Sequence, residues 1–311
     1  PITFLSTLDF LKRPEVWVRT LSEDRATISF APNFGYALTA RRTESTEGLD
    51  LSAMRVLGCG AEPIQPEAIE GFFERFAEAG LKRTAFLACY GMAETTLAVT
   101  FAAMEDQLKI DQLEPKAEAT DSNVSGIHRL DHRVSVVSCG RPLPRHQVSI
   151  LGADGTRLPE RQVGEVFVEG PSVTDGYWED EEATSRVFVD GGVKTGDLGY
   201  LSQGELHVVG RLKDTIIVRG RNYDPTPIEV AAGRVNGVRT GNVAAFSVLG
   251  NPTERLVVAA EYRQGDPDTI EAEIVRAVQR DVGLTVSEVA LIEAGSLPKT
   301  TSGKLQRSAT R

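Results

Sequence analysis

Cysteine is scarce in this 311-residue chain: Cys59, Cys89 and Cys139 lie far apart, with no second pair of metal-binding side chains beside them. That excludes a disulfide framework and a closely spaced zinc site, and points to a reducing cytoplasm. Long apolar runs are missing as well. None approaches the roughly 18–20 residues that cross a bilayer, and the opening residues lack a secretory pattern, so no membrane span is expected. Positive charge is outweighed, with 34 Lys and Arg against 44 Asp and Glu for a net charge of −10. Such a balance gives no general attraction for nucleic acid or anionic lipid. Internal repeats and low-complexity tracts are also absent. Apolar residues make up 41% of the sequence, enough for ordinary globular cores. The length exceeds what one core usually fills, roughly 250–300 residues, so more than one folding unit is expected. The chain opens at Pro1 and runs directly into the apolar stretch Ile2 to Leu11, which predicts a fragment of a longer protein.

Residues 26–31 and Met54 to Leu57 have the character of short buried strands, the first stopped by Pro32 and the second entering the turn Gly58-Cys59-Gly60. Between Pro66 and Ala79, the side chains of Ile69, Phe72, Phe73, Phe76 and Ala77 form one apolar helix face that Gly80 terminates. Thr84 to Ala88 predicts a third strand, ending in a turn at Cys89-Tyr90-Gly91. Strand, helix and strand in this order predict an α/β fold with a mostly parallel sheet, and functional loops at the carboxyl ends of its strands. Residues 103–133 are polar and weakly periodic, as in an insertion or long surface loop. Two β-hairpins are then expected, Val148–Leu151 with Gly164–Glu169 and Gly199–Leu201 with Leu206–Val209, in a β-rich subdomain of about 138–211. Residues 1–211 thus predict an incomplete large domain. Residues 212–311 predict a small α+β domain: a strand at Thr215–Val218, a helix at Pro227–Val235, strands at Val243–Val248 and Leu256–Tyr262 flanking Gly250-Asn251-Pro252, a helix over Ile270–Gly283, and a strand at Val289–Ile292.

Four segments concentrate glycine, charge and hydroxyls. Gly58-Cys59-Gly60-Ala61-Glu62-Pro63 offers small residues that let a flat ligand such as a purine approach the backbone, and equally suits a plain strand-to-helix turn. Tyr90-Gly91-Met92-Ala93-Glu94-Thr95 combines an aromatic ring, a flexible glycine and a carboxylate; these could stack a base and hold Mg²⁺ near phosphate, or form an ordinary turn. Asp197, between Gly196 and Gly199, suits the two hydroxyls of a ribose, with Arg211 following; a surface ion pair is the alternative. Pro298-Lys299-Thr300-Thr301-Ser302-Gly303-Lys304-Leu305 is a loop able to bring an ammonium to a phosphate, or a flexible basic tail. It lacks the leading glycine and trailing hydroxyl of a P-loop.

In this order and spacing, the four segments resemble the adenylate-forming superfamily of acyl-CoA synthetases, peptide-synthetase adenylation domains and luciferases. The resemblance covers essentially the whole chain, as the carboxyl-terminal half of such an enzyme. It is strongest to the fatty acyl-AMP ligases, through Arg25-Ala-Thr-Ile-Ser-Phe-Ala-Pro-Asn-Phe34, Gly60-Ala-Glu-Pro63, Ser138-Cys-Gly-Arg-Pro142 and Ile217-Val-Arg-Gly-Arg-Asn222. The stretch 103–133 lies about where that branch carries extra sequence thought to disfavour coenzyme A.

The resemblance implies ATP and Mg²⁺ as cofactors, a fatty acid as substrate, and an acyl carrier protein's phosphopantetheine arm as acceptor. It implies that Gly60, Ala61 and Glu62 line an adenine pocket, with Tyr90, Gly91 and Met92 beside it and Tyr90 on the base. Glu94 would hold Mg²⁺, Asp197 the ribose hydroxyls, and Arg211 ribose or phosphate. Lys213 would be the hinge, and Lys304 the catalytic lysine delivered by the small domain. The family's phosphate-wrapping loop and acyl-site histidine segment belong to a missing N-terminal half. Tyr223-Asp-Pro-Thr-Pro-Ile-Glu229 departs from the expected Tyr-Pro-x-Asp-Ile-Glu, which leaves the first turn of the small domain open. An acyl-CoA ligase, an amino-acid adenylation domain and a non-catalytic carrier-docking module remain alternatives.

Overall fold

The computed structural model describes residues 2–104, 107–113, 134–218, 221–248, 255–300 and 305–311. The polar stretch beyond residue 113, the Gly250-Asn251-Pro252 turn and Lys304 therefore lie outside the described residues. The chain divides into two compact units. One comprises Pro1–Leu113, Ser135–Thr195 and Gly199–Val208. The other contains Gly196–Leu198 and Val209–Arg311.

The first unit opens with α1 (Thr7–Lys12), α2 (Glu15–Glu23), β1 (Ile28–Phe30), α3 (Asn33–Arg42), β2 (Val56–Cys59), α4 (Pro66–Arg75), β3 (Phe86–Gly91) and β4 (Ala98–Phe101). It continues with β5 (Ile110–Leu113), β6 (Val134–Val137), β7 (Arg141–Pro142), β8 (Gln147–Leu151), β9 (Gly164–Glu169), α5 (Glu181–Val187), β10 (Phe188–Val189), β11 (Gly192–Ser202) and β12 (Glu205–Arg211), of which Gly196–Leu198 and Val209–Arg211 count with the second unit. Strands β1, β2 and β3 are parallel neighbours, and β4 and β7 extend the sheet antiparallel. The expected α/β class holds, with an antiparallel edge added. Both predicted hairpins form. β8 pairs with β9 from Gln147↔Glu169 to Leu151↔Glu165, and β11 pairs with β12 across the left-handed residues Gln203 and Gly204.

The aromatic face predicted on α4 is the centre of this unit's core. Phe72 is fully buried and meets Tyr36 of α3 at 5.0 Å and Trp17 of α2 at 5.5 Å between ring centroids. Pro66 occupies the first turn of α4, and after a short 3₁₀ turn Gly80 closes the segment at φ 82°. Helix α3 has no sequence-level forecast because it buries Asn33, Gly35, Tyr36 and Thr39, a mixture of small and polar residues with no apolar period.

The predicted turn at Cys89-Tyr90-Gly91 is instead the end of β3. Cys89 pairs with Phe101, Tyr90 with Thr100 and Gly91 with Ala98. Gly91 is required by closeness and not by an unusual dihedral: a Cβ there would lie 1.8 Å from the Leu97 carbonyl oxygen.

The second unit is built from β13 (Ile216–Val218), β14 (Arg221–Tyr223), α6 (Pro225–Gly233), β15 (Val238–Val248), β16 (Arg255–Tyr262), α7 (Pro267–Val282), β17 (Glu288–Glu293) and α8 (Arg307–Thr310). β15 and β16 run antiparallel while β17 joins β16 in parallel. Ile228 of α6 and Ile270, Ile274 and Val278 of α7 pack in one core with Val243, Leu256 and Val258 of the sheet. The departure at Tyr223–Glu229 has a physical resolution. Asp224 caps α6, its side chain accepting from the Thr226 amide, and Pro225 takes the first helical turn, where no amide donor is needed.

Candidate active site

The carboxyl ends of β2 and β3 carry the first two sequence motifs side by side. After β2 the chain passes through Gly60, where a Cβ would lie 2.6 Å from the carbonyl oxygen of Cys89 on the neighbouring strand. Ala61 then takes a left-handed φ of 72°, a conformation strained for a residue with a side chain. Glu62 is half-buried in the same loop.

The loop's anchor is a residue to which the sequence reading assigned no role. Asn33, at the start of α3, is 4% exposed. Its Nδ2 donates to the Pro63 carbonyl at 2.6 Å, and its Oδ1 accepts from the Gln65 amide at 2.9 Å. One buried amide thus brackets the loop's far end. The signal available beforehand was a polar residue directly after Pro32 in the Arg25–Phe34 segment.

Behind the loop, burial raises the Cys59 thiol well above its ordinary value and pushes Cys89 up to about 11 and Cys139 to about 12. All three are therefore protonated thiols, unsuited to nucleophilic work.

Tyr90 is 9% exposed and packs in the first unit's core, so any stacking would use the margin of its ring. Gly91 and Met92 are half-buried beyond it. Ala93–Thr95 form a 3₁₀ turn, and Thr96 follows at φ 68°, ψ −56°. The Leu97 amide donates to the Thr95 carbonyl at 2.8 Å. This is a γ-turn centred on a β-branched residue, a strained geometry that persists only where neighbours hold it.

The segment before α5 supplies those neighbours. Thr96 Oγ1 donates to the Ser172 carbonyl at 3.3 Å and the Thr174 amide to the Glu94 carbonyl at 2.9 Å. The Tyr177 hydroxyl donates to Glu94 Oε1 at 2.7 Å. Tyr177 also has no forecast in the sequence, because 83 residues separate it from Glu94.

In the second unit, Asp197 is 7% exposed and accepts from Arg211 Nε at 2.9 Å. The predicted pair is thus brought together, with the carboxylate enclosed and half of the guanidinium side chain accessible. Lys213 sits in the 3₁₀ turn Leu212–Asp214. Three residues past Lys304, Arg307 donates through Nε and Nη2 to both oxygens of Glu229, at 2.7 and 2.8 Å, and through Nη1 to Asp214 at 3.0 Å. Such a forked grip fixes the start of α8 to α6 and to the 212–214 turn.

The Gly60–Glu62 loop and the braced Glu94 turn both fall within residues 2–178, which match the profile of the AMP-binding enzymes. The chain belongs to the AMP-binding enzyme family.

Among relatives of this family member, a Caulobacter vibrioides protein whose name gives acyl-CoA synthetase as its provisional activity is 39% identical over 99% of the chain and 55% of its own length. The medium-chain-fatty-acid–[acyl-carrier-protein] ligase JamA of Moorena producens is 38% identical over 100% of the chain and 56% of its own length. A solved structure from a study of fatty acyl-adenylate ligases of E. coli and L. pneumophila superposes with a TM-score of 0.87 at 35% identity, over 98% of this chain and 56% of that one. The chain spans a little over half the length of the relatives it matches.

Proposed function

We propose that this AMP-binding family member is part of a ligase that joins a fatty acid to AMP, releases pyrophosphate, and passes the acyl group to the phosphopantetheine arm of an acyl carrier protein. The observation that carries the reading is the pairing of motifs at neighbouring strand ends: a glycine-bearing loop anchored by Asn33 after β2, and a braced carboxylate after β3. The names of the Moorena ligase and of the E. coli and L. pneumophila structure favour a fatty acid and a carrier protein as substrates. Three free cysteines suit a cytoplasmic setting.

In this reading Gly60, Ala61 and Glu62 present the backbone to adenine, and the margin of Tyr90 closes one side of it. Asp197 receives the ribose hydroxyls, and Arg211 supplies charge to ribose or phosphate. Glu94 is the group that would hold Mg²⁺. A single carboxylate on an accessible turn fits that ion, which keeps several waters and takes few protein ligands. Among the described residues no cluster of three or more His, Cys, Asp or Glu forms a dedicated metal cage. Mg²⁺, when bound, offsets phosphate charge.

The fatty carboxylate attacks the α-phosphorus in line, an oxygen–phosphorus bond forms, and the bond to pyrophosphate breaks with its electron pair leaving on oxygen. Both reactants are anionic, so Lys304, carried over by motif, supplies the countercharge that grows in value as the α-phosphate oxygens gain charge.

The test is mass spectrometry of products from fatty acid, ATP and Mg²⁺ with the gene-length protein, with and without coenzyme A and a carrier protein, alongside a Lys304→Ala variant. Acyl-AMP that persists with coenzyme A, is discharged to the carrier protein, and falls by at least a hundredfold in the variant is the expected outcome. Acyl-CoA as product would move the reading to the synthetases, which the name of the Caulobacter relative would suit. Amino-acyl adenylates would move it to peptide synthetases. No adenylate at all would favour a docking module.

A further inference from the structure

Tyr177 lies on no motif used above, yet its side chain reaches across to the Glu94 turn. Its hydroxyl donates to Glu94 Oε1 at 2.7 Å. Its ring stands edge-on to Phe188, 5.4 Å between centroids at 71°. Its own amide is bonded to Thr184 Oγ1 at 2.9 Å, and that hydroxyl also donates to the Asp180 carbonyl at 2.7 Å. The preceding Gly176 sits at φ 149°, where a Cβ would lie 2.5 Å from Thr184. Backbone, ring and hydroxyl are therefore fixed independently, each by different partners.

The segment that carries Tyr177 also holds the Glu94 turn twice more, through Thr174 and Ser172. Farther back, His146 Nε2 is hydrogen-bonded to Ser172 Oγ at 2.7 Å. A strained turn would relax if this brace were lost. A hydrogen bond to one carboxylate oxygen also removes a rotational degree of freedom and leaves the second oxygen for a ligand. Carboxylates that bind metal ordinarily have such an outer partner.

We propose that Tyr177 is a positioning residue that holds Glu94 Oε1, so that Oε2 is presented as a one-oxygen ligand to the Mg²⁺ of bound Mg·ATP. The proposal rests on the metal role of Glu94 given above.

The experiment uses the gene-length protein with Tyr177→Phe, which keeps the ring, and with Glu94→Gln. ATP binding is followed by calorimetry during a Mg²⁺ titration, without fatty acid and hence without turnover. Tyr177→Phe is expected to raise the Mg²⁺ concentration for half-maximal enhancement of ATP binding about tenfold, at the lower end of losses seen when outer metal partners are removed. ATP affinity without Mg²⁺ and the unfolding midpoint should stay at the wild-type values, which a purely structural role would not leave in place. Adding Tyr177→Phe to Glu94→Gln should produce no further shift, since the two act through one oxygen.

A wild-type Mg²⁺ midpoint in Tyr177→Phe, with a shifted one in Glu94→Gln, overturns the positioning role alone. Wild-type midpoints in both variants overturn the metal role of Glu94 and this inference with it. An equal loss of ATP affinity with and without Mg²⁺ overturns it in favour of a structural brace.

Discussion

Asn33 shows how much of the site depends on one buried side chain outside any recognised motif. Its donor and its acceptor each meet a backbone group of the segment that follows Glu62, at 2.6 and 2.9 Å. Removing such a partner leaves buried groups unsatisfied, at about 1–3 kcal/mol each. Asn33→Ala is therefore expected to lower unfolding stability by about 2–3 kcal/mol in a denaturant titration. It should also weaken nucleotide binding, because the Gly60–Glu62 backbone is no longer held. Asn33→Asp keeps the acceptor for Gln65 but sets a buried carboxylate oxygen against the Pro63 carbonyl, and should lose at least as much. A clearly smaller loss in Asn33→Asp would show that the bond to Pro63 is not what holds the loop.

At the level of the element, the cap of α6 is the informative case. Asp224 accepts from the Thr226 amide at 3.2 Å and from its hydroxyl at 3.1 Å. Burial pushes its carboxyl up to about 7, with the Glu229 charge adding to this while the Thr226 bonds and Arg307 oppose it. A folded-state value above the unfolded one means that the folded chain binds the proton more tightly. The contribution is present in full below the unfolded value near 3.8 and is lost as pH rises to about 7. Glu261 runs the other way. Hydrogen bonds from the Gly295 and Leu297 amides and the Arg239 charge outweigh burial and hold its carboxyl low, so its contribution is lost on acidification. Comparing variants isolates Asp224. Asp224→Asn keeps a good capping residue and should remove a decline in stability between pH 5 and 7.5 seen in the parent, measured by chemical unfolding across that range. An unchanged slope would assign the pH dependence elsewhere.

Across the whole molecule, the first unit carries a large apolar surface. Ile2, Phe4, Leu8 and Leu11 are exposed at its start, and Ile28 and Phe30 are 57% and 55% exposed on β1, which among the described residues pairs with β2 alone. An edge strand with exposed apolar side chains is a template for association. Ile28→Lys should reduce self-association of this chain in light scattering while changing its stability by less than about 0.5 kcal/mol, since the side chain is outside the core. Undiminished association would locate the adhesive surface elsewhere, with the α1 side chains next in line.

Much of this protein is determined by the sequence alone, wherever the deciding interactions are local. The aromatic stripe of α4 with Pro66 before it and Gly80 after it, the hairpin turn at Gln203-Gly204 and the end of α7 at Gly283 involve residues a few positions apart, where period and backbone preference leave one outcome. The four motifs were legible for the same reason, and their order carried the family. Tertiary structure decided the rest. It turned the expected Cys89–Gly91 turn into strand, because an antiparallel partner at Ala98–Phe101 satisfies that backbone. It made α3 a helix although its buried face holds Asn33, Gly35 and Thr39, because Tyr36 on that face packs against Trp17 and Phe72 and Asn33 meets backbone groups of the loop after Glu62. It also brought Tyr177 to Glu94 and Asn33 to Pro63, across 83 and 30 residues. A hydrogen bond between distant residues leaves no period in the chain that makes it, so the side chains that hold the site in shape emerge only when the strands are laid beside one another.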